Sequence, residues 1–329
     1  MSKYLQYIGL LSILLFVSSC GLLSDRTSSA TITLSTSPLG SNLYGVAFTS
    51  QNNGWAVGGN FYGIGSQGKS TASLESGIIS HYDGTNWQKN GVREPLYAIA
   101  MNSADNGWAV GWHGFIVHYN GTGWAEITSP TTATLRSIVF VNANEGWAIG
   151  DSGTILHEVQ GQWAIVNSPV STNLRSLSMN NIDEGWAVGD SGTILHYNNK
   201  QWQSAFSPTT IDLLTIATVS PTEFWTSGGI ETSTELVGNL FHYDNGNWDT
   251  AINTGNPSHA IAFTSAQNGW ALGASSIHFN GNAWKQLDPR KEVHTLRFYS
   301  IALIAPEEWW AVGEGLIINH YYNGVLSPA

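Results

Sequence analysis

A tryptophan that returns at near-regular intervals constrains this chain more than any other feature. It stands at Trp55, Trp108, Trp147, Trp186, Trp225, Trp270 and Trp310, and the three steps from Trp108 to Trp225 are each 39 residues. Twelve residues before each one a segment of inner-strand character begins: LYGVAF at 43, LYAIAM at 96, LRSIVF at 135, LRSLSM at 174, LLTIAT at 213, SHAIAF at 258 and FYSIAL at 298. A glycine lies three residues after each tryptophan (Gly58, Gly111, Gly150, Gly189, Gly228, Gly273, Gly313), and a histidine follows later (His81, His118, His157, His196, His242, His278, His320). Six copies add a second tryptophan, at Trp87, Trp124, Trp163, Trp202, Trp248 and Trp284. Such self-similarity marks a repeat architecture, in which each unit buries its apolar face only against the next.

Within one copy the residues read as four short strands: LRSIVF, GWAIG, GTILHE and QWAIVN. Asn-Glu-Gly, Asp-Ser-Gly, Gln-Gly and Ser-Pro separate them, all turn signals. A four-stranded antiparallel meander repeated seven times predicts an all-β, seven-bladed β-propeller over 41–329. Small residues at Gly45/Ala47, Ala98/Ala100, Ser176/Ser178 and Ala260/Ala262 face one side of the first strand, as strands crowding toward a hub require. An open stack of blades is the alternative. The seventh copy ends at HYYNGVLSPA without a second tryptophan, so its outer strand is expected to be short or missing. Thr31 to Ser35, TITLS, alternates as a strand does and would complete that blade, removing an exposed edge.

The beginning of the chain predicts export. Met1 to Val17 carries one lysine and the apolar run LQYIGLLSILLFV, too short to span a membrane comfortably and placed as a secretory signal. Val17-Ser18-Ser19-Cys20 resembles a bacterial lipobox, which implies a signal peptide over 1–19, a lipid on Cys20 and a Ser/Thr/Leu-rich tether over 20–40. The expected location is the extracytoplasmic face of the bacterial membrane. Cys20 is the single cysteine, so no disulfide forms within the chain and apolar burial must stabilise it.

Charged residues make up only 11% and the formal net charge is -11, which argues against nucleic acid or anionic lipid as the main partner. The histidines recur in every copy, whereas a metal ligand is needed once, so they read as structural and no cofactor or metal is expected. Gly63 to Ser70, GIGSQGKS, fits the phosphate-loop pattern, but it interrupts two propeller strands and lacks the following helix, so it reads as a flexible loop. The repeated turn acids (Glu145, Asp151, Glu184, Asp190) read as scaffold, and no set of arginines of the sialidase kind is recognisable among Arg26, Arg93, Arg136, Arg175, Arg290 and Arg297.

Where repeated residues are scaffold, function belongs where the copies differ. From the repeated glycine to the histidine most blades take 7 residues, the first takes 23 and the fifth 14, which places insertions at about Asn60 to Ser76 and Ile230 to Val237. The second residue of each first strand also varies: Tyr44, Tyr97, Arg136, Arg175, Leu214, His259 and Tyr299. In a meander both differences fall at the same end of the blades. A mouth of Tyr44, Tyr97, Arg136, Arg175, His259 and Tyr299 is therefore the candidate partner site, able to take a peptide or carboxylate by stacking and charge-assisted hydrogen bonds.

The run GW-A-(V/I)-G-x-x-G-T-I-L-H followed by a glycine turn and tryptophan resembles the repeats of the photosystem II assembly and stability factor family, and more loosely the neuraminidase-type repeats. That resemblance covers Leu43 to about Asn323 and implies a seven-bladed propeller that assists assembly by binding a membrane-protein client. The family's arginine-rich patch has only Arg136 and Arg175 as counterparts, and its hairpin turn is shortened here to YDGTNW at 82, YDNGNW at 243 and FNGNAW at 279. The expected role is a non-catalytic, lipid-anchored protein-binding scaffold with an unidentified protein partner at the cell envelope. A carbohydrate-binding propeller using outer tryptophans such as Trp124 and Trp163, or a sialidase-like glycosidase, is the alternative. Replacing Cys20 with Ala should abolish metabolic labelling by a fatty-acid probe and shift the protein out of the membrane fraction; labelling that persists would remove the anchor.

Overall fold

In the computed structural model, described over 41–60, 76–231, 236–249, 251–287 and 297–329, the repeats form seven antiparallel sheets. Blade 3 is typical: Leu135–Asn142, Glu145–Gly150, Ile155–Val159 and Gln162–Val166 run in sequence from hub to rim. Blade 5 adds a fifth short strand, Ile252–Asn253, beside its third. Each innermost strand neighbours the next, and the last, Phe298–Ala305, neighbours the first, Ser41–Ser50, so the ring is closed rather than stacked.

Among the described residues, every blade is built from consecutive strands of its own. Blade 7 builds its own outer strand, Val325–Pro328, paired with Ile318–Tyr322, so of the two expected outcomes, short or missing, the strand is short. The second tryptophan is dispensable there because Tyr321 and Leu326 fill the place against Trp270 and Trp309. Thr31 to Ser35 lies outside the described residues. Side chains hold the seam: Trp310 and Val312 join Leu43, Val46 and Ile78 in one apolar cluster. Polar ties flank it, with the Val46 amide donating to Ser300 Oγ (3.2 Å), the Gly315 amide to Asn42 Oδ1 (3.0 Å) and Gln51 Nε2 to Glu308 Oε2 (2.9 Å).

The Ser300 bond belongs to a pattern. The innermost strand of a blade is a sheet edge whose hub-facing amides lack ladder partners. Ser137 Oγ accepts from the Leu177 amide (3.3 Å) and Ser176 Oγ from the Ile216 amide (3.2 Å), so a hydroxyl of one blade satisfies the next. Small residues at these places therefore supply polar ties as well as room.

The repeated tryptophans and histidines make one unit. In every blade the imidazole stacks on the tryptophan of the neighbouring strand, with centroids 3.9 to 4.3 Å apart. The histidine's hydrogen-bond partner is the Asn or Glu two residues before that tryptophan, as in His118–Asn106 (2.8 Å) and His157–Glu145 (3.0 Å). Between blades, the outer tryptophan meets the core tryptophan of the preceding blade edge-on: Trp124 on Trp55, Trp163 on Trp108, Trp202 on Trp147 and, across the seam, Trp87 on Trp310. The indole N–H groups are mostly not donated to carbonyls. Trp186 and Trp270 reach Pro221 O and Pro306 O (3.4 and 3.2 Å), whereas those of Trp55, Trp147 and Trp310 have no protein partner among the described residues.

Burial lowers the pKa of His81, His118 and His278 below 6.5, with Asp83 and Glu307 partly opposing it at the first and last. The unfolded chain therefore binds protons first on acidification, and this contribution to stability is lost as pH falls below the ordinary histidine value. The urea midpoint of a His118→Gln variant should fall less between pH 7.5 and pH 5 than that of the parent; equal or steeper loss would contradict a buried neutral imidazole.

Candidate functional site

The seven variable residues reach the mouth through a bulge made in every blade. Pairing of the first two strands steps from Leu135↔Gly150 to Ser137↔Ile149, leaving Arg136 out of the ladder. The same step omits Tyr44, Tyr97, Arg175, Leu214, His259 and Tyr299. A bulged residue is re-aimed relative to the strand. The repeated glycine permits it: a Cβ on Gly150 would lie 2.0 Å from Thr134 O, and on Gly58 1.9 Å from Asn42 O. The spacing of that glycine was legible in the sequence, but the bulge opposite it was not.

All seven side chains line one axial cavity of about 470 Å³, with Gly45, Ala98, Ser137, Ser176, Thr215, Ala260 and Ser300 on its walls. Around the ring they form two arcs. Tyr44 lies between Tyr97 and Tyr299, with centroids 5.3 and 5.4 Å away, and His259 sets its ring at 78° to Tyr299, 5.6 Å off. Blades 3 and 4 contribute the arginines, and the Arg136 guanidinium sits over the Tyr97 ring at 5.6 Å, linking the arcs. Burial pushes the Tyr97 phenol well above its ordinary value and raises that of Tyr44, so both are neutral at physiological pH, and the Tyr44 hydroxyl accepts from Asn42 (3.0 Å).

The arginines are oriented by acids first read as turn scaffold. Arg136 holds Asp151 with two bonds, Nε to Oδ1 (2.5 Å) and Nη2 to Oδ2 (3.1 Å). Burial opposes the Arg136 charge, but the Asp151 hydrogen bond and charge outweigh it and hold the group above its ordinary pKa. Arg175 bridges Asp190, through Nε, and Asp212 Oδ2 (3.1 Å), while Asn173 fixes the other Asp190 oxygen (2.8 Å). Asp151 and Asp190 open the tight turns Asp151–Gly153 and Asp190–Gly192 between second and third strands. Each turn is capped from the following blade, the Ser152 amide donating to Asn173 and the Ser191 amide to Asp212 (both 2.9 Å).

The insertions differ from each other. In blade 1 the Asn60 amide donates to Ser76 O (2.9 Å), closing the base of a segment whose interior, with Gly63 to Ser70, lies outside the described residues. In blade 5 the ends of the insertion lengthen the strands, Ile230 pairing with Val237 and Glu231 with Leu236, while 232–235 lie outside the described residues. A rim feature escaped the sequence reading: blade 2 replaces Asp-Ser-Gly by Trp112-His113-Gly114, placing an aromatic pair at the mouth end.

Among the described residues no group of three or more His, Cys, Asp or Glu is placed to hold a metal. Arg93 pairs with Glu94 and Glu126 (2.8 and 2.7 Å) and Arg297 lies 4.0 Å from Glu314, so only Arg136 and Arg175 of the described arginines line the cavity. This bipartite mouth sits on a scaffold that recurs in solved structures. The chain shares the fold of YCF48. A structure described as YCF48 bound to D1 peptide superposes with a TM-score of 0.66 at 16% identity, covering 86% of this chain and 92% of that one. YCF48 from Cyanidioschyzon merolae gives 0.62 at 15% identity, covering 86% and 95%. No family profile and no curated protein matches the sequence. The YCF48 likeness agrees with the family resemblance carried by the repeats, and at these identities it speaks for the fold alone.

The outer tryptophans are not free platforms for sugar. Trp124 and Trp163 are half-buried, each edge-on to a core tryptophan. Trp124→Ala should cost about 2–4 kcal/mol of stability, since truncating a packed aromatic removes contacts and leaves a void. A urea midpoint unchanged by that substitution would return Trp124 to the surface.

Proposed function

We propose that this protein is a non-catalytic, lipid-anchored propeller on the extracytoplasmic face of the membrane. Its mouth binds a segment of another protein during assembly of an envelope or membrane complex. One observation carries this reading: the positions at which the repeats differ are collected by seven bulges around a single cavity. Side chains held by burial and by paired carboxylates lose little freedom on binding, which favours recognition over mobility. The tyrosine arc offers stacking surface for an aromatic or proline side chain, and Arg136 and Arg175 offer remaining N–H donors to backbone carbonyls or a carboxylate.

The structural likeness to a propeller described as bound to a peptide supports a protein client for this mouth. The secretory and lipobox-like start of the sequence supports the location. A glycan ligand is the weaker reading, because the aromatics best suited to stacking on sugar are engaged between blades.

Crosslinking pull-down from native membranes tests the proposal, comparing the parent with the double variant Arg136→Ala/Arg175→Ala and with Tyr44→Ser. At least one protein recovered with the parent should be lost or reduced about tenfold with each variant, as expected when a central contact worth about 1.4 kcal/mol is removed. Recovery of the same proteins by all three would sink the mouth as the binding site.

A further inference from the structure

One blade departs from the rule that joins it to its predecessor. In six blades the residue after the repeated histidine is aromatic: Tyr82, Tyr119, Tyr197, Tyr243, Phe279 and Tyr321. Each ring lies on the core tryptophan of the preceding blade, at 4.7 to 5.5 Å between centroids. In blade 3 that position is Glu158. It is directly opposite Trp163 in the ladder, and residues so paired share a face. Trp163 packs on Trp108 of blade 2 at 5.7 Å, so Glu158 faces the same seam.

Glu158 is only 1% exposed. One carboxyl oxygen accepts the Gly161 amide, and the other is buried with no hydrogen-bond partner among the described residues. Its surroundings offer little to compensate a charge. On its own blade His157 and Glu145 act on it with opposite signs, and His157 is already hydrogen-bonded to Glu145. From blade 2 the seam presents Trp108, Val110 and Ile116, with His118 stacked on Trp108 and hydrogen-bonded to Asn106. An ionised carboxylate here lacks both water and a cationic partner.

We propose that the seam between blades 2 and 3 is a pH-sensitive joint in the ring, closed while Glu158 is protonated and loosened when it ionises. No mouth ligand is needed for this, so it stands apart from the binding reading above. Burial raises the Glu158 pKa above 4.5, and the Gly161 bond only partly opposes it. The folded state therefore holds this proton more tightly than the unfolded chain. The contribution of Glu158 to the seam's stability is full below the ordinary carboxylate value and falls as pH rises through the raised one, opposite in sign to that of His118. At its mouth end this seam carries the Arg136–Tyr97 contact.

Hydrogen exchange of the full chain, corrected for the intrinsic pH dependence of amide exchange, tests the joint. Between about pH 5 and pH 8, protection in Leu135–Asn142 and Gln162–Val166 should drop by roughly tenfold relative to the strands joining blades 4 and 5. The neutral isostere Glu158→Gln should abolish that relative drop, and Glu158→Tyr, which restores the ring used elsewhere, should abolish it while raising protection. The proposal is overturned if parent and Glu158→Gln show the same pH profile, or if all seams lose protection together.

Discussion

Everything in this molecule hangs on a tryptophan gripped from two sides. On one strand an imidazole stacks flat against it, fixed by an Asn or Glu of its own blade; from the next blade an outer aromatic meets its edge. Offset and edge-to-face contacts of this kind add to what area burial contributes. With few charges and no disulfide in the described fold, such units are its main source of cohesion. They also join the two ends of the ring. Trp310 and Trp87 make across the seam the contact that Trp147 and Trp202 make inside the array, so the ends meet as any two neighbours do.

Much of this was legible in the primary structure because a repeat exposes its own rules. The seven tryptophans, the four-strand meander and the clustering of variable residues at one end follow from period and turn chemistry alone. The partners inside each unit did not. Nothing local says that His118 bonds Asn106, since that pairing joins residues 12 apart on strands whose register is set by the fold. The lack of a second tryptophan in blade 7 predicts a short or missing outer strand; the strand is present and short, and Tyr321 and Leu326 supply the packing. The mouth residues were found by their variability, yet Asp151 and Asp190 were set aside as scaffold because they recur. Recurrence is a poor guide where a repeated turn acid orients a neighbour that is not repeated.

Charge inside the mouth is arranged more tightly than its two arginines suggest. Asp151, Asp190 and Asp212 hold the guanidiniums from behind, which confines each planar fork to one orientation and leaves fewer donors for a guest. Recognition there favours a ligand that fits the preset donors over one attracted merely by positive charge. Selectivity by shape and hydrogen-bond geometry is the expected result, with modest dependence on salt, since charges already paired within the protein contribute little long-range attraction.

The bulge opposite the repeated glycine separates two structural tasks. Because Tyr44, Arg136 or His259 occupies a position in its strand that the ladder skips, its side chain can change without altering the pairing of the residues on either side. Seven side chains around the axis can therefore be replaced while the seven-sheet frame stays intact. Such a layout separates the residues that build the ring from the seven that line its cavity, so the cavity's chemistry can be redesigned position by position.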